Sequence, residues 1–126
     1  MAKDKRVSST KSNPAGRRSP CPVACTLDVL GDRWTLLVIR DLFLGRTRFK
    51  DFEESPEGIP TNILSERLER LLAAEIVEQV PVGEGAKRFG YRLTWKGKAL
   101  GPVLVAIRDW GLKWEKGTRV MLANSN

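Results

Sequence analysis

A chain of 126 residues can build one domain around one core, and nothing in its composition calls for more. The absence of histidine removes the commonest general base and the commonest metal ligand, and two cysteines alone cannot complete a zinc site, so neither metal nor cofactor is expected. The net charge of +7 is unevenly spread. Lys3, Lys5, Arg6, Lys11, Arg17 and Arg18 face Asp4 alone in the first 20 residues, which leaves 16 basic against 14 acidic side chains in residues 21–126. The high basicity belongs to the tail and is weak evidence that the folded part binds polyanions.

No apolar run reaches the length of a membrane span, and the N-terminus lacks the apolar segment of a signal peptide. A cytoplasmic protein with reduced thiols and no membrane partner is therefore expected. Residues 1–20 are rich in Ser, Lys, Arg, Pro and Gly and read as a disordered basic arm, either simply solvated or able to track phosphates.

A folded domain is expected over 21–116. Pro22 opens its first helix with Cys21 in the cap position, and Val23, Leu27 and Leu30 mark an apolar face that Gly31 ends. Asp32 can cap a second helix, Arg33 to Leu44, before Gly45 stops it. That helix is apolar nearly all round, so it should lie at the centre. A short third helix, Arg48 to Glu54, turns Phe49 and Phe52 inward, and Ser55-Pro56-Glu57-Gly58 has the residues of a turn.

The stretch Ile59–Leu72 follows. Leu64, Leu68, Leu71 and Leu72 recur at helical spacing, Asn62, Glu66 and Arg70 point the other way, and Pro60 sits in the first turn. Ile76–Val82 alternates and is rich in β-branched residues, so it reads as a strand, with Pro81 placing it at an edge. A glycine-containing loop leads to a returning strand, Arg88–Leu93, with Lys87 and Arg88 near the hairpin tip. Thr94 should cap one long last helix, bent at Pro102, and residues 117–126 form a flexible tail. The stripe Leu100, Val103, Leu104, Ile107, Trp110, Gly111 and Trp114 is more apolar surface than a small core needs at the edge of the chain.

Helix, short helix, turn, amphipathic helix and hairpin is the order of a winged helix-turn-helix, a mainly α fold with a small antiparallel β wing. In that arrangement the helix after the turn enters the DNA major groove and the wing reaches the backbone. Three segments, CPVACTLDVLGDRWTLLVIRDLFLGRTRF, IPTNILSERLERLLAAEIVEQ and YRLTWKGKALGPVLVAIRDWG, resemble the HxlR family of bacterial winged helix-turn-helix regulators. The resemblance spans about Cys21 to Trp114.

It implies a homodimeric transcription factor on double-stranded operator DNA, usually a repressor, located at the nucleoid. It further implies dimerisation through the first and last helices, using Val23, Leu27, Leu100, Val103, Leu104, Ile107, Trp110 and Trp114. Residues matching the family's DNA-contacting surface are Arg48, Pro60, Thr61, Asn62, Ser65, Glu66, Arg67 and, on the wing, Lys87 and Arg88. Arg46 and Arg70 are expected to bind DNA with them. The chain departs from the family's habit in three places: Pro60-Thr61 replaces Ser-Pro, Glu66 replaces Gln, and Trp95 stands where Pro is expected. An acidic side chain facing DNA must accept from a cytosine amine or repel phosphate, or Glu66 pairs instead with Arg70 one turn on.

Cys21, at a helix N-terminus with Arg17 and Arg18 upstream, is the candidate redox sensor, because both features favour a thiolate. The resemblance implies an oxidant or small electrophile as effector and a disulfide between subunits. Cys25 lies one turn further on. Side chains at that spacing have Cβ atoms about 5–6 Å apart where a disulfide wants about 3.5–4.5 Å, so a bridge within the helix would be strained. Two other readings stay open: a winged-helix module that binds proteins rather than DNA, which the near-neutral domain favours, and a thiol enzyme, which lacks a second catalytic group.

Overall fold

The structure, a computed structural model, describes residues 16–83 and 88–120. Its elements in chain order are α1 (Pro22–Leu30), α2 (Thr35–Phe43), α3 (Phe49–Glu53), α4 (Thr61–Ala73), β1 (Val77–Pro81), β2 (Phe89–Leu93), α5 (Trp95–Lys98) and α6 (Gly101–Trp114). The expected mainly α fold with one antiparallel hairpin is present. Val77 pairs with Leu93 and Pro81 with Phe89, so both strands are edges and Pro81 removes no bond from a neighbour on its far side.

The core lies where α2, α3, α4 and the hairpin meet. Val38, Ile39 and Leu42 of α2 pack with Phe52 of α3, Leu64, Leu68 and Leu71 of α4, and Ile76, Val77 and Leu93 of the hairpin. Phe52 is fully buried and meets Tyr91 edge-on, with ring centroids 6.2 Å apart. The leucine stripe of α4 thus finds the burial its spacing called for, with Leu72 half-buried at its margin.

Local chemistry sets the element ends. Asp32 does cap α2: Oδ1 accepts from the amides of Trp34 and Thr35 at 2.8 and 3.0 Å, although the helix begins at Thr35 rather than Arg33. Asp51 accepts from the Thr47 and Arg48 amides and closes the start of α3. At the end of α4, Ile76 N–H returns to Leu71 C=O and Glu75 N–H to Leu72 C=O, with Glu75 at φ +61°. This is a Schellman stop with a glutamate in the left-handed position that glycine usually fills.

The last helix is not the single bent rod expected. It is two helices, α5 and α6, broken at Ala99–Leu100. Thr94 caps α5, its Oγ1 accepting from Gly97 N–H at 3.1 Å. Pro102 stands in the first turn of α6, where its missing N–H leaves no helix bond unmade, so it starts a helix instead of bending one. Gly97 lets the chain press against β1: a Cβ there would sit 2.2 Å from the Ile76 carbonyl oxygen.

α1 and α6 both lean on α2. No residue of α6 is buried. Leu100 and Leu104 touch the core, whereas Val103, Ile107, Trp110 and Trp114 are exposed, the two tryptophans at 60 %. Val23 and Leu27 of α1 are exposed likewise. Among the described residues, no helix is long and apolar enough to cross a membrane.

Candidate DNA-binding surface

α3, the turn after it and α4 form the helix-turn-helix. Gly58, at φ +69°, supplies the left-handed step of that turn. Thr61 Oγ1 donates to Glu53 Oε2 at 2.8 Å and ties the first turn of α4 to the end of α3. Pro60, Thr61, Asn62, Ser65 and Glu66 are exposed on one side of α4. Of these, Asn62 and Ser65 offer hydrogen-bonding groups of the kind that read base edges in a major groove.

The two arginines of α4 behave differently. Arg67 donates from Nε to Asp32 Oδ1 at 3.1 Å and from Nη1 to Glu66, and its side chain is only 15 % exposed. Arg70 donates to Asp32 Oδ2 at 3.4 Å and to Glu66 Oε2 at 3.1 Å. The second of these is the Glu66–Arg70 pair anticipated one helical turn apart. Two carboxylates and two guanidiniums therefore form one nearly neutral cluster along this helix. Partial burial alone would raise the Asp32 carboxyl, but hydrogen bonds from Thr35, the Trp34 amide and Arg67 outweigh it and hold the group well below the usual carboxylate range. The hydrogen bond from Arg67 lowers Glu66 in the same way.

Behind α4 lies a second ion network that sequence reasoning missed. Asp41, buried to 2 % exposure in α2, accepts from its neighbour Arg40, from Arg46 Nη1 at 3.1 Å and from the Ser55 hydroxyl. Arg40 also makes a two-pronged contact with Glu57, both distances 2.8 Å, which raises Arg40 and lowers Glu57 from their ordinary values. Ser55 and Glu57 belong to the turn before α4, so the network clamps that turn to α2. The signal was available: a carboxylate in a largely apolar helix needs partners.

Arg46 is thereby drawn into a cleft of about 560 Å³ between α2, β2 and α5, beside Phe43, Arg92 and Trp95, away from the exposed residues of α4. Arg48, at the start of α3, and Arg88, at the start of β2, are exposed and have no ion-pair partner among the described residues. Lys87 and residues 1–15 of the basic arm lie outside the described residues. Cys21 is exposed at the N-terminus of α1, its amide donating to Ser19 Oγ, while the half-buried Cys25 thiol donates to the Ser19 carbonyl. Arg18 is engaged with Asp28 at 2.5 Å.

A family model described as HxlR-like helix-turn-helix matches residues 29–119, from the end of α1 through α6. The chain belongs to the HxlR family. Within it, the chain is 36 % identical over 88 residues to the HTH-type transcriptional regulator YvaP of Bacillus subtilis, covering 70 % of this chain and 82 % of that one. The crystal structure of PA1607, a candidate transcription factor, superposes with a TM-score of 0.74 at 45 % identity, over 82 % of this chain and 73 % of that one. The reduced form of the regulator YodB from B. subtilis superposes with a TM-score of 0.64 at 34 % identity, over 79 % and 98 %. YodB has also been crystallised after diamide treatment and with quinone bound. The HxlR chain described here is thus a helix-turn-helix transcriptional regulator, a DNA-binding protein whose relatives are regulators rather than enzymes.

Proposed function

We propose that this regulator acts as a cytoplasmic homodimer on an operator with two-fold symmetry, as a repressor and without a catalytic step. The observation that carries the reading is the exposed, polar first half of α4, with Asn62 and Ser65 exposed, together with Arg48 and Arg88, exposed cations without an ion-pair partner among the described residues. Base edges fall to the first group and phosphates to the second. Lys87, next to Arg88 in the sequence, and Arg17 are further phosphate partners in this reading. Val23, Leu27, Ile107, Trp110 and Trp114 supply the apolar surface that a second copy would cover.

Binding to the gene's own upstream region, footprinted against random DNA, tests it. A protected inverted repeat and an affinity that falls steeply with salt are expected. Equal affinity for both DNAs would favour a winged-helix module that binds protein instead.

Cys21 adds a second layer to the same reading. An exposed thiol at a helix N-terminus, in a chain similar to a regulator crystallised with diamide and with quinone, suits a sensor of oxidants or electrophiles. With diamide, two Cys21 thiols, one per subunit, would give up two electrons and two protons to the oxidant and form one S–S bond. Cys21→Ser should bind DNA as the reduced protein does and ignore diamide; loss of binding without oxidant would make the residue structural.

A further inference from the structure

Asp32 joins three elements. It follows Gly31 at the end of α1, its carboxylate caps α2 through the Trp34 and Thr35 amides and the Thr35 hydroxyl, and it receives Arg67 and Arg70 from α4, 35 and 38 residues further along the chain. Capping does not require a charge, because Asn and Ser cap as well as Asp. The two guanidiniums are what the charge serves. With Glu66 on the other side, each guanidinium donates to both carboxylates, Arg67 from Nε and Nη1 and Arg70 from Nη1 and Nη2.

A guanidinium on a free stem finds a phosphate on any duplex, and so adds affinity that carries no sequence information. Arginines held to one carboxylate, with Arg67 mostly covered, are withheld from that use. We propose that Asp32 is a positioning residue for DNA discrimination: by fixing and neutralising Arg67 and Arg70 it denies them to passing phosphates and leaves the choice of sequence to the exposed residues of α4. The inference rests on the DNA-binding reading above and extends it to a residue outside the exposed face of α4.

The test uses the full-length protein and two probes: a duplex enriched by the wild type from a randomised pool, and a shuffled duplex of the same length and composition. Asp32→Asn keeps a capping oxygen and removes the charge. It should bind the shuffled duplex about tenfold more tightly, steepen the salt dependence by roughly one phosphate per subunit, and leave the enriched duplex bound much as before, so that the preference between the two falls about tenfold. Adding Arg67→Gln and Arg70→Gln to Asp32→Asn should return the salt dependence to its wild-type slope.

An unchanged preference and slope, or a parallel loss on both duplexes by a folded protein, would overturn the inference. Should Asp32→Asn fail to fold, Asp32→Ser carries the same test, and failure of both to fold would make Asp32 purely structural. If the wild type enriches no duplex at all, the DNA-binding reading itself falls, which separates that failure from this one.

Discussion

α4 and α6 are near-twins in length, 13 and 14 residues, and each carries an apolar stripe at helical spacing. α4 buries Leu64, Leu68 and Leu71 almost completely, whereas α6 buries nothing. An amphipathic pattern states that a partner exists and leaves open where it is. For α4 the partner is the core of its own domain. α6 leans on α2, Leu100 and Leu104 rest against the core, and Trp110 and Trp114 are exposed.

Truncation should separate the two helices most sharply. Leu68→Ala leaves a cavity at a site 1 % exposed and should cost about 3 kcal/mol of stability, read as a lower urea midpoint with an unchanged slope. Trp110→Glu on α6 should leave the fold intact and weaken self-association by about 2 kcal/mol or more, roughly thirtyfold, in sedimentation velocity. If Trp110→Glu unfolded the chain instead, the contrast between the helices would be wrong.

Acid sharpens the same contrast. Asp32 and Glu57, which fix α4 and the turn before it, titrate below their ordinary values of 3.8 and 4.5. Their folded forms therefore bind protons more weakly than the unfolded chain does. The stability they contribute is complete above those ordinary values and is lost as pH falls below them toward the depressed folded values. Asp32→Asn should flatten that acid limb in urea titrations across pH. The end of α4 offers the smallest effect: Glu75→Gly relieves a left-handed glutamate and should stabilise by about 1 kcal/mol, less the added freedom of glycine in the unfolded chain.

What the sequence revealed followed from period and capping. The leucines of α4 and Asp32 as a cap are local patterns and are realised, whereas the returning strand does not alternate in burial, Phe89 being exposed and Gly90 buried. The break at Ala99–Leu100 was missed because Thr94 was taken to cap one continuous helix, although Pro102 was signal enough for a second helix start. The pairing of Arg70 with Glu66 was legible from its one-turn spacing, whereas the engagements of Arg67 and Arg70 with Asp32 and of Arg46 with Asp41 were hidden for another reason. Their partners, Asp32 and Asp41, are remote in sequence or on another element, and long side chains choose partners only after the helices have packed. The sequence marked these arginines as DNA contacts; it did not show that Asp32 and Asp41 already engage them.

The most direct test is selection of duplexes from a randomised pool by the purified reduced protein, followed by sequencing. The account predicts an inverted repeat whose half-sites lie about one helical turn apart, roughly 10 base pairs or a multiple of that, because two copies of α4 related by a two-fold axis must enter successive major grooves on one face of the DNA. Enrichment of nothing, or of a single motif without two-fold symmetry, would contradict it.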